Sequence, residues 1–82
     1  MKILYFANLR DVIGKSEEYF KIENEISISD LITILKKKNK KYNIAFDNKK
    51  KLMCAVNCEY VKSSKKVSDK DEVAFFQPVT GG

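Results

Sequence analysis

The residues with the most evident capacity for chemistry are the last two, Gly81 and Gly82, which follow Pro78-Val79-Thr80. Glycine has no Cβ, so a partner can close tightly around this backbone and reach an unhindered terminal carboxylate. A carboxylate is a poor electrophile, but ATP can convert it to an acyl-adenylate that sulfur or amine nucleophiles attack. Many chain ends are frayed and glycine-rich without any function. Here the pair follows an aromatic segment and a proline, which favours a functional interpretation.

The rest of the sequence offers few other reactive groups. It contains no histidine, so it lacks the commonest general base and the usual catalytic triads. Cys54 and Cys58 are too few for a structural zinc site and are expected to be free thiols. No glycine-rich phosphate-binding motif is present. We therefore expect the chain to bind no cofactor and no metal, and any ATP to be used by a partner.

A strand is predicted to position the two glycines. Glu72 to Phe76 are mostly β-branched and aromatic, and Pro78 prevents the strand from continuing. Lys2 to Asn8 predict a first strand that is apolar on both faces, which is typical of a central strand or of one that meets a partner. Leu9 to Ile13 predict one helical turn that stops at Gly14.

A second strand and one helix follow. Lys15 to Glu23 alternate in polarity and predict a strand antiparallel to the first, with Phe20 and Ile22 in the core. Ser27 is the predicted N-cap of a helix with lysines in its last turn, where positive charge suits the helix dipole. One apolar stripe runs along this helix: Ile28, Leu31, Ile32 and Leu35.

The second half of the chain predicts mainly strands. Residues 39–51 are a polar connection expected to be irregular or a short helix. Leu52 to Val56 predict a strand, Tyr60-Val61 a short return, and Ser63 to Asp71 a loop from which Val67 turns inward. With a right-handed crossover, the order β-β-α-β-β-β favours an α+β, ubiquitin-like β-grasp fold. In that fold a small mixed sheet packs on one main helix, the first and last strands are parallel neighbours, and a flexible Gly-Gly tail follows.

Three aromatic residues are candidates for a partner-binding surface. If Val73 and Phe75 point into the core, Phe76 points outward, and Phe6 alternates to the same outer face. Tyr60, near a hairpin tip, could complete an exposed patch of the kind that marks interfaces. The alternative is that the helix or residues 39–51 cover these side chains.

Composition restricts the class of protein. The 82 residues predict one domain, and 44% hydrophobic residues argue for a folded chain rather than a disordered one. No membrane span or signal peptide is recognisable, so the cytoplasm is the expected compartment. The net charge of +5 comes from fifteen lysines and a single arginine. This favours an acidic protein partner, or a general lysine bias, over nucleic acid, which is usually read by arginine.

The tail and the N-terminus resemble a known family. Asp71-Glu72-Val73-Ala74-Phe75-Phe76-Gln77-Pro78-Val79-Thr80-Gly81-Gly82 is similar to the C-terminus of MoaD, the small subunit and sulfur carrier of molybdopterin synthase. Residues 3–14 resemble its first strand and turn, and Ala55-Val56-Asn57 also fits. Two positions depart from the family: Gln77 replaces a common second proline, and Lys70 replaces a common turn glycine.

This resemblance implies a mechanism and a set of partners. An E1-like adenylyltransferase (MoeB-like) would adenylate Gly82, and sulfur from a cysteine-desulfurase relay would convert it to a thiocarboxylate. Thr80 and Gly81 would thread into the large subunit (MoaE-like), where the molybdopterin dithiolene is made. Phe6 and Phe76 match the hydrophobic contact positions of the family. Residues 1–77 would form the carrier domain and 78–82 the extended tail, and the chain alone would be a co-substrate rather than an enzyme.

Three alternatives remain open at this point. The chain could carry sulfur for another product, such as the thiazole of thiamine, since such carriers share the fold and the Gly-Gly end. It could be a ubiquitin-like modifier that forms isopeptide bonds with lysines. It could also be a small basic nucleic-acid-binding module, which the lysine excess alone suggests.

Overall fold

The computed structural model describes residues 1–46 and 51–77. Their order of elements is β1 (Lys2–Tyr5), α1 (Ala7–Ile13), β2 (Glu17–Tyr19), β3 (Ile26–Ser27), α2 (Ile28–Lys38), α3 (Lys40–Ala45), β4 (Met53–Val56), β5 (Glu59–Val61), β6 (Lys66–Val67) and β7 (Glu72–Phe76). The α+β β-grasp prediction is confirmed: a mixed sheet is packed on the main helix, α2, with two shorter helices beside it.

The main sheet has the strand order β2-β1-β7-β4-β5. Strand β7 is central and pairs parallel with β1 and antiparallel with β4. The first and last strands are therefore the parallel neighbours that the sequence predicts. A separate two-stranded sheet joins β3 to β6. Val67 is fully buried as expected, but it lies in the short strand β6 rather than in a loop, so the prediction of a loop from Ser63 to Asp71 was wrong there.

The first strand is shorter than predicted. It was expected to run from Lys2 to Asn8, but it ends at Tyr5, and Phe6 is already the N-cap of α1. Ala7 has a φ of 48°, a left-handed conformation that turns the chain from the sheet into the helix. Periodicity does not reveal such a break because the apolar alternation continues past it. The helix stop is confirmed: Gly14 has a φ of 87° and caps α1.

The second strand is also shorter than predicted. It covers Glu17–Tyr19 rather than Lys15 to Glu23. Phe20 and Ile22 lie beyond it and pack against the core while remaining partly exposed. They are at the margin of the core because the chain leaves the sheet directly after Tyr19.

The helices follow from local signals. The backbone N–H of Asp30 donates to Ser27 Oγ at 3.0 Å, which confirms the predicted N-cap of α2. Ile28, Leu31 and Leu35 are fully buried along one face of that helix. Within the predicted connection, Asn39 caps the short helix α3 through a bond from the N–H of Lys41 to its side-chain oxygen.

The turn between β4 and β5 is tight and fixed by a side chain. Asn57 and Cys58 have φ values of 50° and 72°, as a two-residue hairpin turn of the I′ type requires. The Asn57 side chain donates to Asp71 Oδ1 and accepts from the Glu72 N–H, each at 3.0 Å. This amide therefore ties the hairpin tip to the beginning of β7.

Candidate functional site

Strand β7 leads directly to the residues predicted to react. It is hydrogen-bonded on both edges, and Phe76 is paired with Met53 of β4 at its last position. Gln77 is the last residue described, so Thr80, Gly81 and Gly82 lie outside the described residues and their roles stay predictions. What the structure does show is the place from which this segment departs.

The inward-facing residues of β7 hold this strand in the core. Val73 and Phe75 are fully buried, as predicted from the sequence. The ring of Phe75 packs edge-on against Phe46 with centroids 5.1 Å apart, and stacks with Tyr5 at 6.3 Å. Aromatic pairs at these separations add to the stability of burial. The strand is thus held by the densest aromatic packing of the core, next to the segment that leaves it.

The outward residues of the sheet form a second, open face. The helices pack on the other face, because the buried residues of α2 join the same core as Ile3, Tyr5 and Val73. We call the apolar outward residues of the sheet, with Phe6, the open-face patch: Leu4, Phe6, Met53, Ala55, Tyr60, Ala74 and Phe76.

Polarity changes along the open face. The row at the start of β7 pairs the charged residues Lys2 and Glu72. The next outward row is apolar across four strands, with Leu4, Ala74, Ala55 and Tyr60, and ends at the β2 edge in Glu17. The last row contains Met53 and Phe76. The open face therefore becomes apolar toward the end of β7 from which the tail departs, as expected of a surface that seats a partner around that tail.

The structure places the three predicted aromatic residues at the apolar end of the open face, near the C-terminal end of β7. The rings of Tyr60 and Phe76 pack with their centroids 5.6 Å apart. Tyr60 is 77% exposed and Phe6 is 47% exposed. The N–H of Phe6 donates to the carbonyl of Phe75 at 3.3 Å, which places Phe6 beside the same strand end. The helices do not cover these side chains, but their role in partner binding stays a prediction.

Sequence reasoning missed part of this patch. Met53 and Ala55 face outward from β4, although Leu52 to Val56 reads as one continuous apolar run. Such a run gives no sign of which residues face inward. Pairing with β7 settles it, because Met53 lies opposite Phe76 and Ala55 opposite Ala74.

The two thiols differ in environment. Burial raises the pKa of Cys54, whose Sγ lies 3.4 Å from the carbonyl of Val61, so this thiol is a poor nucleophile. Cys58 is exposed at the hairpin tip, and neither cysteine is in a disulfide. Within residues 1–46 and 51–77 no cluster of histidine, cysteine, aspartate or glutamate is suited to hold a metal ion. In the same ranges, no helix has the length and apolarity needed to cross a membrane.

A sequence model of the ThiS family matches residues 3–82. The chain belongs to the ThiS family. This match extends over both the sheet that carries the open-face patch and the glycine tail. Together with the relatives described next, it confirms the family resemblance that the tail and the N-terminal strand indicated.

Two full-length relatives of this ThiS-family chain carry the same name. It is 32% identical to proteins named molybdopterin synthase sulfur carrier subunit from Haemophilus influenzae and from Escherichia coli, over 100% of this chain and 99% of each relative. A Pyrococcus furiosus structure provisionally named molybdopterin converting factor, subunit 1, has 31% identity and a TM-score of 0.77, covering 95% of both chains. SAMP1 from Haloferax volcanii is 22% identical with a TM-score of 0.80, covering 100% of this chain and 98% of its own, and shows the shared fold.

Proposed function

We propose that this chain is the sulfur carrier of a molybdopterin synthase. The observation that carries the proposal is the placement of β7, which leaves the centre of the sheet at the apolar end of the open-face patch and leads to Gly81-Gly82. Family membership and the names of the full-length relatives support the same function. The described residues contain no competing metal cluster, and the buried thiol of Cys54 is deactivated.

The proposed chemistry takes place at Gly82. An E1-like partner uses ATP to adenylate its carboxylate, with pyrophosphate as the leaving group. A persulfide of a cysteine-desulfurase relay then attacks the acyl carbon and displaces AMP, which gives an acyl disulfide. A thiol reduces this disulfide, which releases the thiocarboxylate on Gly82 and leaves a disulfide on the relay. The thiocarboxylate donates its sulfur to the precursor of the molybdopterin dithiolene. In this scheme the chain binds no cofactor and acts as a co-substrate in the cytoplasm.

The proposed docking follows from the open-face patch. Residues 1–77 act as the carrier domain, and the large subunit covers Phe6, Tyr60 and Phe76 while it takes in residues 78–82. Thr80 and Gly81 occupy its narrow channel, since glycine allows close approach of backbone to backbone. Exposed aromatic residues that become buried at the centre of an interface commonly dominate its binding energy.

The first test is the intact mass of the chain after incubation with an E1-like enzyme, ATP and a sulfur source. Because the terminal glycine carboxylate is unhindered, exchange of oxygen for sulfur should add about 16 Da. A variant that lacks Gly82 should show no gain and an unchanged circular dichroism spectrum. A wild-type chain whose mass does not change with a competent enzyme would refute the proposal, and stable lysine conjugates would indicate a protein modifier instead.

A second test separates molybdopterin synthesis from other uses of sulfur. Thiocarboxylated chain and a MoaE-like large subunit should together produce molybdopterin from the cyclic pyranopterin monophosphate. Production of the thiamine thiazole, with no molybdopterin formed, would assign the carrier to the other pathway.

The docking surface has a matched control. Tyr60 and Tyr19 are 77% and 75% exposed, but Tyr19 is paired with Lys2 at the polar end of the open face. We expect Tyr60→Ala to weaken binding of the large subunit by about 2 kcal/mol, or roughly thirtyfold. Tyr19→Ala should change the affinity by less than about threefold. Equal effects of the two substitutions in a titration would contradict this docking surface.

A further inference from the structure

One stretch of this protein concentrates positive charge. Five lysines lie within residues 36–41, at the end of α2 and the start of α3. The other eleven basic residues are balanced by the eleven acidic residues of the chain. No acidic residue occurs between Asp30 and Asp47. The junction between these two helices therefore carries a strong local excess of positive charge.

Local stability explains only part of this charge. Lys36, Lys37 and Lys38 occupy the last turn of α2, where cations are favourable. Lys40 and Lys41 occupy the first turn of α3, which contains no acidic residue and where cations are unfavourable. None of the ion pairs seen within residues 1–46 and 51–77 uses any of these five lysines. Lys41 Nζ, however, lies beside Gly14 at the C-terminal cap of α1, where a cation is favourable, and Lys38 Nζ lies 5.1 Å from the centroid of the Phe20 ring. Lys40 is thus the charge that opposes helix stability and needs another explanation.

Exposed isoleucines accompany these lysines. Ile34 is 38% exposed on α2, with Lys37 and Lys38 three and four positions further along the same helix side. Ile44 is 65% exposed on α3, with Lys40 and Lys41 four and three positions before it. The helices contact each other through the side chain of Asn43, which donates to the carbonyl of Lys36 at 2.8 Å. We call this set the basic helix patch: Ile34, Lys37, Lys38, Lys40, Lys41 and Ile44.

We propose that the basic helix patch binds an acidic protein surface that also presents apolar side chains. Apolar residues with a polar, solvent-accessible rim are the usual anatomy of a protein interface, and charges of opposite sign on the two partners favour their association. Nucleic-acid sites rely on arginine and on stacking aromatics, whereas this patch contains neither, and the single arginine of the chain is in α1. Because α2 packs on the face of the sheet opposite the open-face patch, the acidic partner and a partner of the tail can bind simultaneously.

The test uses the full chain, isotopically labelled, and a synthetic peptide of alternating glutamate and leucine. At about 0.15 M salt, the peptide should shift the amide signals of residues 34–44 and leave those of Tyr60 and Phe76 unchanged. An oligonucleotide with the same number of negative charges should bind more weakly. Tighter binding of the oligonucleotide to the same residues would overturn the proposal in favour of nucleic acid.

Charge variants decide whether the patch or the net charge is responsible. Lys37→Glu combined with Lys40→Glu should weaken peptide binding about tenfold. Its melting temperature should change little, since Lys40→Glu places a favourable acid in the first turn of α3 whereas Lys37→Glu removes a favourable cation from the last turn of α2. Lys62→Glu combined with Lys70→Glu alters the net charge equally at exposed positions elsewhere and should leave the affinity within about twofold. Equal losses in both double variants would show non-specific attraction only.

The isoleucines give an independent criterion. Ile44→Ala keeps every charge and a good helix former, and it should weaken peptide binding about fivefold by removing apolar contact. An unchanged affinity would overturn the proposal, because purely ionic attraction does not depend on this side chain.

Discussion

Replacement of Glu18 by alanine should destabilise this fold severely. Glu18 Oε2 accepts hydrogen bonds from Tyr5 at 2.6 Å and from Tyr42 at 2.5 Å, and Lys15 Nζ lies 3.7 Å from its other oxygen. One carboxylate in β2 thereby connects β1 to α3. Its side chain is 11% exposed and Tyr5 is 1% exposed, so solvent cannot readily replace these bonds.

The size of the loss follows from these contacts. A hydrogen bond to a charged group contributes about 1.5–3 kcal/mol, and a buried hydroxyl left without a partner costs about 1–3 kcal/mol. Allowing Tyr42 to rebind water, we expect Glu18→Ala to lower the free energy of unfolding by about 3 kcal/mol. The total free energy of unfolding of a domain of this length is roughly 4–12 kcal/mol. The melting temperature should fall by about 12–24 °C.

The same carboxylate gives the wild type a characteristic dependence on pH. Burial works to raise the pKa of Glu18, but the hydrogen bonds from Tyr42 and Tyr5 outweigh it and hold the pKa below its ordinary value of 4.5. A lowered folded-state pKa contributes stability above pH 4.5 that is lost as the pH falls through the folded value. Burial, followed by the bond to Glu18, raises the pKa of Tyr42 from 10.0 to about 12. The stability that the protonated Tyr42 hydroxyl contributes is fully present below pH 10 and is lost as the pH rises toward 12.

Urea unfolding at a series of pH values from acid to alkaline gives the free energy of unfolding, and so measures both the acid effect of Glu18 and the alkaline effect of Tyr42. Glu17→Ala is the control, because Glu17 is the neighbouring residue and makes only an exposed ion pair with Lys2 at 3.5 Å. It should cost less than about 0.5 kcal/mol. The assigned role of the carboxylate would be refuted if Glu18→Ala lowered the free energy of unfolding by less than about 1 kcal/mol. It would also be refuted if that variant lost stability at acid pH in the same way as the wild type.

The other predictions concern the hairpin and the cap of α2, all measured by urea unfolding. Cys58→Gly should stabilise the chain by about 0.5–1 kcal/mol, because glycine adopts the φ of 72° without strain. Cys58→Ala should have little effect, and an equal gain in stability from alanine would contradict this explanation. Asn57→Ala should cost about 2 kcal/mol, and Asn57→Gly should recover the part due to its φ of 50° but not the lost hydrogen bonds. Ser27→Ala should cost about 1 kcal/mol, whereas Ser27→Asp, which retains an acceptor, should not.

The sequence predicted most of what determines the fold. Residues Glu72 to Phe76 form a strand with the predicted bounds, because alternation, a preceding turn and a following proline all agree. The cap at Ser27 was predictable for the same reason, since its side chain acts within three residues. Local signals of this kind depend little on the rest of the molecule.

What could not be predicted depends on contacts between distant segments. The end of β1 at Tyr5 and the left-handed conformation of Ala7 arise where the chain turns over the sheet, and nothing in the local pattern marks them. The outward direction of Met53 is set by its pairing with Phe76. Nothing in the local sequence marks the carboxylate of Glu18, because the two tyrosines that bind it lie 13 and 24 residues away.

The central position of β7 also has a mechanical consequence. Its hydrogen bonds to β1 on one side and to β4 on the other run across the strand. A pull along the strand, applied by a partner that draws in the residues after Gln77, loads all of these bonds together in shear. An edge strand such as β5, which is bonded on one side only, would share the same pull among fewer bonds. The segment that we propose to enter a partner is thus joined to a strand whose bonds share the load of a pull along its axis.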